Sequence, residues 1–220
     1  PLPDDAEALL LKIGEREFAQ HMARPAVWAF WWPRFKQMAA WFIGEMRSRE
    51  GGLSSIVTES TGSMKIDGVT PPFTLTAKAD RLDIQRDGRL IIIDYKTGKP
   101  PSPQDVILGF SPQLPLEAAI ASQGGFDKVP TAAVAALEFW HLKGGRNGAA
   151  VIPVKDPESK APVDPMALAV EAYQGLKDLV AYFSHDDAAY LAEPRGGFGL
   201  AFNDYAHLAR YDEWASEDDA

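Results

Sequence analysis

Residues 73–99 read FTLTAKADRLDIQRDGRLIIIDYKTGK, and the way this stretch folds back on itself decides how the rest of the chain is arranged. Its first half alternates, with Phe73, Leu75, Ala77 and Ala79 on one side and Thr74, Thr76, Lys78 and Asp80 on the other. That period of two is the mark of a half-buried strand. The second half opens with an unbroken apolar run, Leu90 to Ile93, which fits a strand covered on both faces. Asp87-Gly88 between them is a strong hairpin signal. The two segments are therefore predicted to pair antiparallel.

Register follows from the turn, because a slip of one residue sends every side chain to the opposite face. A two-residue loop, Asp87-Gly88, sets Asp80 opposite Tyr95 and separates Asp80 from Asp94. A three-residue loop, Arg86-Asp87-Gly88 with Gly88 left-handed before a bulge, sets Asp80 opposite Asp94. Only the second register makes chemical sense of the acids. Lys96 shares the face of Asp94, whereas Tyr95 points away and offers only its backbone carbonyl. Paired carboxylates at the end of an apolar strand repel one another and lose hydration, so a counter-charge is required. Mg²⁺ takes hard oxygen ligands at about 2.0–2.1 Å and keeps several waters, so two aspartates and one carbonyl suffice. A lysine beside it can orient water or balance charge on a phosphate. Such a set describes hydrolysis of a phosphodiester.

The ordered set Ala79-Asp80-Arg81, then Ile93-Asp94-Tyr95-Lys96, then Gln113-Leu114 opening a helix resembles the RecB-type branch of the PD-(D/E)XK nucleases. Within that branch, LTAKADRLD, IIDYKTGKPPS and GFSPQLPLEAAI look like the C-terminal nuclease domain of bacterial AddB, a subunit of the AddAB helicase-nuclease. The resemblance runs from about Val57 to Ala119, with an echo in Asp204-Tyr205 and Leu208-Ala209-Arg210. It implies a restriction-endonuclease-like α/β core, a mixed central sheet flanked by helices, with extra N-terminal helices. It implies that Asp80, Asp94 and the Tyr95 carbonyl bind the metal, that Lys96 is the catalytic lysine, and that Gln113 is a supporting polar residue. Mg²⁺, or Mn²⁺ in its place, is the implied cofactor. DNA, an AddA-type helicase-nuclease subunit and the remainder of an AddB chain are the implied partners, in the bacterial cytoplasm at the nucleoid. Two departures stand out. The family's upstream Gly-x-x-x-His helix has no counterpart, since His21 follows Gly14 at too great a distance. The family's Gln-x-x-x-Tyr element reads Gln113-Leu114-Pro115-Leu116-Glu117.

At 220 residues the chain fits one domain with a sizeable core. The expected division is a helical segment, residues 1–50, packed on a nuclease core with a C-terminal tail, residues 51–220. No apolar run is long enough to span a bilayer and no signal peptide opens the chain, so no membrane partner is expected. The start at Pro1-Leu2-Pro3 points to a fragment of something longer. The absence of cysteine excludes disulfides and thiolate metal sites, and with them the iron-sulfur cluster that some AddB-like domains carry. A net charge of −9 argues against gripping nucleic acid by bulk electrostatics, and points to basic surface borrowed from neighbours.

The remaining elements follow in order. An acidic N-cap at Asp4-Asp5 predicts a helix to about Met22. A second helix, about Pro25 to Arg49, carries Trp28, Trp31, Trp32, Phe35, Trp41 and Phe42, read as a packing face rather than a base-stacking one; Pro33 predicts a kink or break in it. Leu53 to Ile66 is a first strand, whose Glu59 reads as solvated or lysine-paired rather than as a metal ligand. Lys99 lies on the loop leaving the active strand and reads as solvent-facing. Ser111-Pro112 predicts the start of a helix that puts Gln113 in its first turn, and Gly124-Gly125 closes it. Thr131 to Lys143 is a buried strand, with His141 a structural residue near its end. Ala149 to Val154 is an edge strand. Asp164-Pro165 caps a helix to about Phe183 with the stripe Leu168, Ala172, Leu176, Leu179 and Val180. The tail from Glu193 is expected to fold back over the domain. The expected activity is metal-dependent cutting of unwound DNA in double-strand break repair. The competing reading is a nuclease-like structural or DNA-guiding module that does not cut.

Overall fold

The computed structural model describes residues 1–19, 25–145 and 148–189. Five strands form one sheet in the order β1 (Leu53–Ile66), β2 (Phe73–Gln85), β3 (Leu90–Lys96), β4 (Val134–His141) and β5 (Ala150–Pro153). β3 and β4 run parallel and all other neighbours antiparallel. A parallel pair needs a crossover, supplied here by α3 (Pro103–Ile107) and α4 (Gln113–Ser122). Helices α1 (Ala6–Ala19) and α2 (Pro25–Arg49) precede the sheet and α5 (Pro165–Phe183) follows it. The expected tail from Glu193, with Tyr205 to Arg210, lies outside the described residues, as does His21.

The β2–β3 hairpin has the three-residue loop. Arg81 pairs with Ile93 and Asp83 with Ile91, Gln85 N–H donates to the Arg89 carbonyl at 2.8 Å, and Gly88 is left-handed at φ +83°. β3 is covered on both faces. Leu90 and Ile92 join the larger core with Leu114, Ala118 and Ile120 of α4 and Leu168 of α5. Ile93 turns the other way, to Met46 of α2 and Trp140 of β4, with Trp41, Phe42 and Tyr95 around them. Fully burying each such aliphatic side chain contributes about 1.5–3 kcal/mol. The sheet is thus held between two helical layers.

One irregularity aims the sheet at its functional end. On β2, Leu75, Ala77 and Ala79 face the larger core, and so do Leu82 and Ile84, so the inward parity changes at Asp80. Its neighbour on β1, Glu59, lies between the pairs Thr58–Arg81 and Ser60–Ala79 with φ +52°, a left-handed conformation that costs a non-glycine residue on the order of 1 kcal/mol. The β2–β3 ladder also stops here. Tyr95 N–H, which the next hydrogen-bonded pair of the ladder would have satisfied, donates instead to Asp80 Oδ2 at 2.9 Å.

The second face carries an ionic network. Arg81 and Asp83, 1% and 0% exposed, form a bidentate pair at 2.6 and 2.8 Å, and Arg81 also donates to the Tyr95 hydroxyl at 3.3 Å. Its guanidinium lies 4.7 Å from the Trp140 ring centre, and that of Arg49, from the end of α2, lies 4.9 Å from it. Arg49 also bridges Glu138 at 2.9 Å, which accepts from Trp140 Nε1 at 3.0 Å. The C-terminal half of α2 is thereby tied to β4.

Four local expectations change. α2 runs unbroken through Pro33; Trp32 and Phe35 on either side of it pack on Phe18 of α1, and the ring of Phe35 lies where a side chain at Gly14 would stand. Ser111 does not cap α4, whose N-cap is Pro112 without a side-chain hydrogen bond; the capping box belongs to Ser102 and Asp105 on the unforeseen helix α3. The strand expected from Thr131 to Lys143 spans only Val134–His141. On α5, capped by Asp164 as expected, Leu179 is exposed, and Met166 and Tyr173 pack inward instead. Replacing Asp83 by Ala leaves a buried guanidinium unpaired and is expected to lower unfolding free energy by about 3–5 kcal/mol, measured by urea denaturation. A D83A loss within 1 kcal/mol, on the order of an exposed pair's contribution, would show that the pair does not hold this face.

Candidate active site

The end of β3 beside α4 gathers the polar residues of the larger core's rim. Asp94, only 3% exposed, shares the pleat of Leu90 and Ile92. The hairpin register, continued one residue past Arg81–Ile93, sets Asp80 opposite it. Lys96 Nζ donates to Asp94 Oδ1 at 3.0 Å and to Gln113 Oε1 at 3.4 Å. Gln113 Nε2 in turn donates to Asp94 Oδ1 at 2.8 Å and to Glu117 Oε1 at 3.2 Å. The residues step outward from buried Asp94 and Glu117, through half-buried Asp80 and Lys96, to exposed Gln113. Asp80, Asp94, Lys96 and Gln113 thus gather at the C-terminal end of β3. The Tyr95 ring lies on the opposite face against Trp140 and Phe42, where burial pushes its hydroxyl pKa up.

Two oxygens here have no hydrogen-bond donor, Asp94 Oδ2 and Glu117 Oε2. Lys96 Nζ lies 2.8 Å from Asp94 Oδ2 as an ion pair, so Glu117 Oε2 is the one of the two with no cation or donor beside it. Unpaired anionic oxygens in a desolvated place are costly. Hard oxygen donors, one of them without any partner and one held only by an ion pair, backed by a half-exposed acid, suit a divalent cation that keeps part of its water. Among the described residues no three acidic, histidine or cysteine side chains stand close enough to enclose an ion by themselves. Of the expected ligands, the strand register brings Asp80 and Asp94 side by side.

Glu117 is the acid that sequence reasoning did not place in the site. Its signal was present: four residues past Gln113, it shares that residue's helix face and is the only charge in α4. Burial, then the charges of Asp94 and Asp80, push its carboxyl up to about 7, against the Gln113 hydrogen bond and Lys96, which lower it. Other candidates stay apart. Glu59 pairs with Lys78 in solvent, Lys99 is exposed on its loop, and His141 sits opposite Lys96 across the β3–β4 ladder.

A mixed sheet flanked by helices, with acids and a lysine gathered where β3 ends beside the middle of β2, has the architecture of a restriction-endonuclease-like fold. The chain belongs to the PD-(D/E)XK nuclease superfamily, whose sequence profile matches residues 1–195. It is similar to an uncharacterized protein of Rickettsia conorii, 32% identical over 80 residues, covering 36% of this chain and 10% of that protein. An uncharacterized protein of Rickettsia bellii is 26% identical over 123 residues, covering 56% of this chain and 15% of its own length. A Rickettsia typhi protein is 24% identical over 56% of this chain and 14% of its own. The chain therefore spans a small fraction of these relatives. The crystal structure of SSO0001 overlaps 76% of this chain and 71% of its own at 14% identity, with a TM-score of 0.34. No helix among the described residues is long and apolar enough to cross a membrane.

The Glu117 carboxyl has a definite pH consequence. Its folded value, about 7, lies above the ordinary 4.5, so between these the native state binds the proton more tightly than the unfolded state. The stability tied to this proton is full below about pH 4.5 and is lost as pH rises through 7, a loss on the order of 3 kcal/mol. In metal-free buffer, E117Q is expected to flatten the decline in melting temperature between about pH 5 and 8. A decline as steep as the wild type's would exonerate Glu117.

Proposed function

We propose that this chain is a divalent-metal-dependent deoxyribonuclease module of AddB type, hydrolysing phosphodiesters of DNA unwound by a partner helicase during double-strand break repair. The observation that carries this reading is the convergence of Asp80, Asp94, Lys96 and Gln113 at the end of β3 in a member of a nuclease superfamily. The AddB assignment rests on the wording of three segments, LTAKADRLD, IIDYKTGKPPS and GFSPQLPLEAAI. An AddA-type subunit and DNA are its partners under this reading, and basic surface contributed by the larger assembly offsets the net charge of −9.

Asp80, Asp94 and the Tyr95 carbonyl would hold Mg²⁺ or Mn²⁺. When bound, the cation polarises the phosphoryl oxygen and lowers the pKa of water. The chain's own groups do the positioning. Tyr95 N–H fixes one Asp80 oxygen and leaves the other free to ligate. Gln113 holds Asp94 Oδ1 from the solvent side, which sets the direction of Oδ2. Lys96 is tethered by Asp94 and Gln113 with a side chain about one-third exposed, at 31%, so its ammonium can meet an incoming phosphate and neutralise charge growing on it.

D80A, D94N and K96A are each expected to reduce Mg²⁺-dependent cleavage of single-stranded DNA by the helicase-nuclease complex at least about 10²-fold, with circular dichroism and helicase activity unchanged. Q113A, which removes a positioning group, should cost about tenfold. Wild-type cleavage rates in the D80A, D94N, K96A triple variant would leave the non-cutting, DNA-guiding role in possession.

A further inference from the structure

Glu117 is the one charged residue in α4, a helix in which Leu114, Pro115, Ala118, Ala119, Ile120 and Ala121 are all buried. It is itself 3% exposed. One oxygen accepts from Gln113 Nε2 and the other has no partner. An acid kept in an apolar helix with half its carboxylate unsatisfied is worse for stability than a neutral residue of the same size. Such a group is expected where a ligand supplies the missing donor.

The surroundings say what that donor is. Gln113 Nε2 binds Glu117 Oε1 and Asp94 Oδ1 together, so the unsatisfied carboxylate lies on the same side of the site as Asp94. The charges of Asp94, Asp80 and Lys96 all act on it. The acids are nevertheless not spaced to enclose an ion directly. Water in the shell of a hard cation fits that gap, since it has protons to donate and lies one layer outside the ion.

We propose that Glu117 is a third acid of the centre, receiving hydrogen bonds from water kept by a divalent cation held at Asp80 and Asp94 and thereby raising the affinity for that cation. This rests on the metal-dependent reading above. Glu117 is a positioning residue in this scheme.

The test is Mn²⁺ titration calorimetry on this chain as wild type, D94N and E117Q, together with metal-free melting curves at one pH above 7. Wild type is expected to bind Mn²⁺, D94N to lose binding, and E117Q to bind about tenfold or more weakly while melting, without metal, no lower than wild type. A buried residue with a merely structural role would lower that metal-free melting temperature, and that result overturns the proposal. So does wild-type Mn²⁺ affinity in E117Q, which leaves the metal-dependent reading standing if D94N still abolishes binding. Absence of any Mn²⁺ binding that D94N removes would overturn both.

Discussion

The Asp94 carboxylate, buried at the rim of the larger core and held by Lys96 and Gln113, is the contact that the rest of the structure serves. Taking a carboxylate out of water is costly unless charge and hydrogen bonds replace hydration. Here one oxygen receives both hydrogen bonds and the other has only the ion-pair contact with Lys96. Each large feature of the fold helps hold that asymmetric state. Leu90 and Ile92 fix the pleat that turns Asp94 toward α4. The apolar face of α4, packed on the same core, brings Gln113 within 2.8 Å. The parallel β3–β4 pair, which requires α4 as its crossover, puts that helix on this face at all.

Asp80 enters by a different route. A regular ladder would have Tyr95 N–H bonded to backbone and would carry Asp80 on the alternation set by Ala77 and Ala79. Instead the inward parity changes at Asp80, Glu59 beside it takes φ +52°, and the Asp80 side chain replaces the missing ladder acceptor. Backbone cost is thus concentrated beside the acid that needs a special direction, a common correlate of functional geometry.

Much of this was legible in the chain. The Arg86-Asp87-Gly88 turn marks the hairpin, and of the two loop lengths it permits, the need to pair Asp80 with Asp94 selects the three-residue one that the structure has. The unbroken run Leu90 to Ile93 marks a strand covered twice. What could not be read depends on tertiary packing. The side chains of Arg81 and Asp83 look like ordinary strand polars until α2 covers their face, and their pairing is decided by that burial. The parity change at Asp80 is invisible to a period-two count, since the count presumes an even pleat. Pro33 fails to break α2 because packing of Trp32 and Phe35 on α1 outweighs a lost hydrogen bond. The Ser102–Asp105 capping box, by contrast, was readable from spacing alone.

β2 offers its own control for the functional reading. It carries two aspartates three residues apart, Asp80 and Asp83, turned to opposite faces. Asp83 is completely buried and completely answered, with both oxygens on one guanidinium, and Glu138 on the same face is answered by Arg49 and Trp140. On Asp80's face, Asp94 and Glu117 share one lysine and one amide, and two of their oxygens receive no hydrogen bond, Glu117 Oε2 having no cation beside it either. Desolvation penalises both faces alike, so a chain selected only for stability would be expected to balance both. Balance on one side of a strand and deficit on the other locates the place where a cation completes the structure.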